Sequence, residues 1–154
     1  MVFQGLLNIS NVAVGIEAAT KSSLIDAVID LVAQNESISD VDEVRSAVHD
    51  RETKMSTGVG KGLALPHAKT SAVSGVVAAL ATTKEPVEFS SLDNEPVKIV
   101  FLLIGKQDAK SQHVRILSRF SRMMNREEHR DRIMAAKTSE ELLERIIEVE
   151  ASLN

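Results

Sequence analysis

His67 closes the one run in this chain whose residue types and order look built for chemistry: Thr57-Gly58-Val59-Gly60-Lys61-Gly62-Leu63-Ala64-Leu65-Pro66-His67-Ala68. Three alternating glycines open φ values closed to other residues and let backbone amides come close to a ligand. Leu63 to Leu65 read as a short buried strand. Pro66, with one φ choice and no N–H, ends that strand and fixes the direction of the next side chain. A polar ring directly after an apolar strand end is where α/β folds place ligands. The pattern predicts an imidazole on a stiff mount, beside donors suited to an oxyanion. A neutral imidazole of this kind is nucleophilic at pH 7.

Other side chains could join it. His113 precedes Ile116, Leu117 and Phe120 by three, four and seven residues, so it extends an apolar stripe toward the start of a helix. Two readings stand level there: a half-buried histidine bonded to backbone, or a histidine that meets an anion with help from the helix start. Arg51 and Glu52 close a helix just before the glycine run, normally as helix-end decoration. The intervening loop is short enough to return Arg51 toward His67, where its guanidinium could clamp a phosphoryl group. Ser56 and Thr57 could add hydroxyl donors, and Gly58 and Gly60 backbone amides. His49 and His129 lie among charged neighbours and read as solvated. The glycine run is not a P-loop, because Gly60-Lys61 is followed by Gly62 rather than Ser or Thr and leads into a strand.

These residues need elements to hold them. Leu24, Ala27, Val28, Leu31 and Val32 recur at helical spacing behind the caps Thr20 to Ser23, which predicts a helix to about Asn35. Ser39 with Asp42 resembles a capping box for a second helix, striped by Val41, Val44 and Val48 and running to about Lys54. Gly75–Thr82 and Val97–Ile104 are strand candidates. The unbroken apolar run from Ile99 to Ile104 predicts a central strand covered on both faces. Glu85-Pro86 and Leu92 to Pro96 read as turns around a short strand from Val87 to Phe89. A third helix follows from Ser111. Asn125 with Glu128 and Thr138 with Glu141 mark two further helix starts. The expected fold is α/β (α+β): a central mixed sheet of about four to five strands flanked by helices, in one domain over residues 1–154.

Composition narrows the function classes. At 154 residues the chain can bury roughly 70% of its unfolded surface without a metal or disulfide. The absence of cysteine excludes thiolate chemistry and Cys-ligated zinc. A net charge of −4 and no Trp or Tyr argue against nucleic acid as a partner. No segment reaches the ~20 apolar residues of a membrane span, and the N-terminus lacks a signal-peptide pattern, so no membrane insertion and a cytoplasmic location are expected.

The ordered set Arg51-Glu52, Ser56-Thr57-Gly58-Val59-Gly60, Leu63-Ala64-Leu65-Pro66-His67 and a later helical His113 resembles the IIA proteins of the bacterial phosphoenolpyruvate-dependent sugar phosphotransferase system, fructose/mannitol type. That family includes nitrogen-regulatory members. Ala68 stands where many members carry glycine. The resemblance implies that His67 accepts a phosphoryl group from phospho-HPr and passes it to a IIB protein. It implies that His113 and Arg51 support that group, and that no cofactor takes part. With no cysteine to act as a fructose-type IIB acceptor, a stand-alone carrier is expected. A competing class is a metal-dependent hydrolase using His67, His113, Glu52 and Asp108, weakened by the lack of closely spaced ligand pairs. The sugar and the oligomeric state are not written in the sequence.

Overall fold

The computed structural model describes residues 2–153. Its centre is a mixed sheet in the order β1-β5-β6-β3-β2, with β4 also paired to β6. The strands are β1 (Val12–Ile16), β2 (Gly58–Gly60), β3 (Leu63–Ala64), β4 (His67–Lys69), β5 (Val77–Val87) and β6 (Val97–Gly105). β5 and β6 run antiparallel, while β1 on β5 and both β3 and β4 on β6 are parallel. The sheet thus has six strands rather than four to five. The additional ones are short: β1 has only five residues, and β4 resumes after Pro66 has interrupted β3.

Strand β6 is covered on both faces, as its apolar run predicts. Val100, Leu102 and Ile104 enter one core with helices α2 (Lys21–Asp30) and α3 (Val41–Lys54). Ile99, Phe101 and Leu103 enter a second core. That side carries α1 (Val2–Leu6), α4 (Lys110–Met124), α5 (Glu127–Met134) and α6 (Ser139–Ala151). Alternation along one strand divides its side chains between the two layers. Each such Leu or Ile, taken fully out of water, stabilises by about 1.5–3 kcal/mol. The rings of Phe101 and Phe120 stack at 4.5 Å, with Phe3 edge-on to Phe101 at 5.4 Å. This aromatic contact seats α4 on β6 and so fixes His113, two turns before Phe120.

Several local expectations change. Pro86 lies inside β5 near its exposed end, not in a turn. The ladder to β6 breaks between Thr82 and Val87 and resumes at Val87 opposite Val97. A missing N–H is tolerated at such an irregularity. Asp40, not Ser39, caps α3 by accepting from the Glu43 N–H at 3.2 Å, while the Ser39 hydroxyl donates to the Ala72 carbonyl. α5 begins after Arg126 without a side-chain cap. His129 there is buried, its Nδ1 2.7 Å from the Met123 carbonyl, because α5 folds back over the end of α4. His49 is half-exposed and meets Asp26 at 2.8 Å.

Candidate functional site: the two-histidine centre

The glycine run forms a hairpin rather than an open loop. β2 and β3 pair antiparallel, Gly60 opposite Leu63, across Lys61-Gly62. Both turn residues have positive φ, 59° and 78°, as a tight two-residue hairpin requires. Gly58 is glycine because a Cβ there would lie 2.3 Å from Ser91 Oγ and 3.0 Å from Ser91 Cα. Gly60 faces the Asp93 carboxylate, which accepts from the Lys61 N–H at 2.9 Å. Gly58 and Gly60 therefore make room for the Ser91–Asp93 segment.

The hydroxyls of this stretch also have internal partners. Ser56 Oγ donates to the Phe89 carbonyl at 2.9 Å, and the Gly58 N–H donates to Ser56 Oγ at 3.1 Å. Thr57 donates its N–H and its hydroxyl to the two oxygens of Glu52, at 2.7 and 2.6 Å. Through these bonds Ser56, Thr57, Gly58 and Gly60 build the mount of His67.

His67 begins β4, opposite Leu103 of β6. The Pro66 carbonyl accepts from the Leu103 N–H at 3.0 Å, tying the mount to the central strand. His67 Nδ1 lies 2.8 Å from the Leu65 carbonyl. A carbonyl only accepts, so Nδ1 carries the proton and Nε2 keeps its lone pair. Burial pushes the His67 pKa below its ordinary value, and the charges of Arg51 and Lys69 push the same way. The Leu65 hydrogen bond and the Glu52 charge oppose them. The ring is therefore neutral at pH 7, with a nucleophilic Nε2.

His113 stands beside it, the ring centroids 5.6 Å apart. It is only 3% exposed, and neither ring nitrogen has a hydrogen-bond partner among the described residues. The reading of a half-buried histidine bonded to backbone is overturned: the ring is buried and makes no such bond. Burial first, and then the charges of His67 and Lys69, hold its pKa down to about 4. An unsatisfied buried polar group costs about 1–3 kcal/mol, so its retention calls for an explanation. Gly105, at the end of β6, gives His113 its place, since a Cβ there would lie 2.8 Å from Nδ1.

Arg51, in the last turn of α3, donates from Nη1 to the Met55 carbonyl at 2.8 Å while its charge still reaches His67. Glu52 is buried and also pairs with Lys21 at 2.9 Å. Its carboxylate is committed to Thr57 and Lys21. The role of Glu52 in the mount was missed in the sequence, although Val44, Val48 and Glu52 continue one buried stripe at intervals of four.

Over residues 5–149 the chain matches the family model for the "Phosphoenolpyruvate-dependent sugar phosphotransferase system, EIIA 2", and it belongs to that family. It is 33% identical to the fructose-specific EIIA component of Haloferax volcanii, over 85% of each chain. It is 31% identical to the fructose-specific EIIABC component of Bacillus subtilis, over 90% of this chain but only 22% of that protein's length. In three dimensions it resembles the nitrogen regulatory protein IIA-Ntr of Neisseria meningitidis with a TM-score of 0.88 and 27% identity, over 95% of this chain and 99% of that one. Among the described residues no helix is long and apolar enough to cross a membrane.

Proposed function

We propose that this chain is a phosphocarrier that takes a phosphoryl group from phospho-HPr onto Nε2 of His67 and delivers it to a IIB protein. One observation carries the reading: a neutral His67 with Nε2 unprotonated stands beside a buried imidazole that has no hydrogen-bond partner among the described residues. A phosphoryl group on His67 supplies the acceptor oxygens that His113 lacks. In the accepting step the Nε2 lone pair forms a bond to phosphorus as phosphorus leaves the donor. No proton need leave His67, because Nδ1–H remains bonded to Leu65. Such a transfer asks the protein for positioning and charge stabilisation. His113 supplies an N–H donor and Arg51 a cation near the transferred oxygens.

The test is incubation with phosphoenolpyruvate, enzyme I and HPr, followed by intact mass. A single acid-labile phosphoryl adduct that disappears in His67→Ala is expected. Labelling that persists in that variant would overturn the assignment.

The resemblance to IIA-Ntr supports a second reading, in which the phosphorylation state of His67 controls other proteins rather than feeding sugar uptake. Mixing the phosphorylated chain with each fructose-type or mannitol-type IIB of its organism separates the two. Discharge to one of them means transport, and failure with all of them, while phospho-HPr still charges His67, means regulation.

A further inference from the structure

We infer that Glu52 is a positioning residue for the transfer, acting through Thr57 and Leu65 to hold the His67 ring in the orientation and tautomer that expose Nε2. The inference rests on the phosphocarrier reading of His67. A continuous series of contacts connects the two side chains. Glu52 accepts from both the N–H and the hydroxyl of Thr57, at 2.7 and 2.6 Å. The Thr57 carbonyl accepts from the Leu65 N–H at 2.9 Å. The Leu65 carbonyl accepts from His67 Nδ1 at 2.8 Å. Each link places one peptide unit, so the position of the Leu65 carbonyl, and with it the ring, depends on where Glu52 holds Thr57.

The far end is anchored as well. Lys21 from α2 pairs with Glu52 Oε1 at 2.9 Å and lies over the Phe89 ring, 4.7 Å from its centroid. Buried carboxylates are retained only with such partners, since removing one leaves an uncompensated charge. A carboxylate fits the place because it only accepts, and both groups that Thr57 presents to it are donors. Glutamine would face the Thr57 hydroxyl with an NH2, so that the hydroxyl must turn round and accept rather than donate, and would leave Lys21 without its counter-charge.

The experiment uses the full chain, ¹⁵N-labelled in histidine, as wild type, Glu52→Gln, Thr57→Val and Thr57→Ser. Ring ¹⁵N shifts report which nitrogen of His67 carries the proton, and phospho-HPr labelling reports the rate. Wild type is expected to hold the Nδ1–H tautomer. Glu52→Gln should mix the tautomers and slow labelling by about 10-fold to 100-fold, as loss of an orienting partner does at comparable sites. Thr57→Val should act in the same direction and Thr57→Ser should restore both readouts. Variants that melt lower yet keep the wild-type tautomer and labelling rate would overturn the inference, leaving Glu52 a purely structural ion pair. So would folded variants unchanged in every readout. Should Glu52→Gln fail to fold, the two Thr57 variants decide the matter. If phospho-HPr does not charge even the wild type while the variants still shift the tautomer, the carrier reading falls and the positioning of the ring stands.

Discussion

Because burial holds the His67 pKa below its ordinary 6.5, the neutral form predominates at pH 7 and is lost as pH falls through that lowered value. Labelling by phospho-HPr should therefore hold its level further into the acid range than a free imidazole would allow, and decline below that, once the donor's own titration is measured separately. His113 gives a second pH effect, on stability. Its folded pKa of about 4 lies below the unfolded 6.5, so between these values the unfolded chain binds a proton that the folded chain does not. Stability is whole above pH 6.5 and falls toward pH 4, by on the order of 3 kcal/mol from this group. Denaturant melts of wild type and His113→Gln across that range check the sign, since the variant should show a shallower acid loss. The proposed phosphorylation of His67 would place anionic oxygens beside the same ring and should raise its titration, visible by NMR. A His113 titration identical in the two forms would separate it from the phosphoryl group.

At the scale of elements, two glycines place the site by what they lack. Gly105→Ala would set a methyl 2.8 Å from His113 Nδ1, and the ring, at the far end of its side chain, can tilt away. Near-normal melting with slower labelling is expected. Gly58→Ala is different, because the new methyl would also lie 3.0 Å from the Ser91 backbone, which cannot swing aside. Overpacking of that kind costs about 1–3 kcal/mol, which lowers Tm by roughly 2–4 °C per kcal/mol for a chain of this size. Adding Ser91→Gly removes the 2.3 Å contact with the hydroxyl and should recover part of the loss. Calorimetry of the single and double variants tests this.

Across the whole molecule, the helical layer behind α4 is clasped by one buried carboxylate. Glu150 of α6 is 0% exposed and accepts from the N–H groups of Val2 and Phe3, each at 3.0 Å, and from Arg119 of α4. It joins α1, α4 and α6, and Phe3 carries that tie into the aromatic contact with Phe101. Glu150→Ala leaves Arg119 and two backbone donors unpaired, a loss on the order of 3 kcal/mol or more. Lower stability is expected with a smaller effect on the labelling rate of folded protein, because Glu150 reaches the site only indirectly, through the seating of α4 that carries His113. A rate that fell with stability intact would instead tie this face to the site.

The elements legible in the sequence were those whose instructions are local. The six-residue apolar run of β6 announced a strand buried on both faces. The stripes of α2, α3 and α4 announced their inward sides, and Pro66-His67 announced a fixed imidazole. The short strands β1 and β4 were not legible, since β1 exists by pairing with β5 and β4 by pairing with β6, partners distant in sequence. Nor was the use of Gly58 and Gly60, whose neighbours Ser91 and Asp93 arrive from more than thirty residues away. The sequence by itself determined that His67 would be held stiffly. Only the tertiary structure decided that the buried His113 would find no partner among the described residues, and that Glu52 would hold Thr57. Periodicity sets which face of an element turns inward, whereas the contact it meets there depends on how separate elements pack.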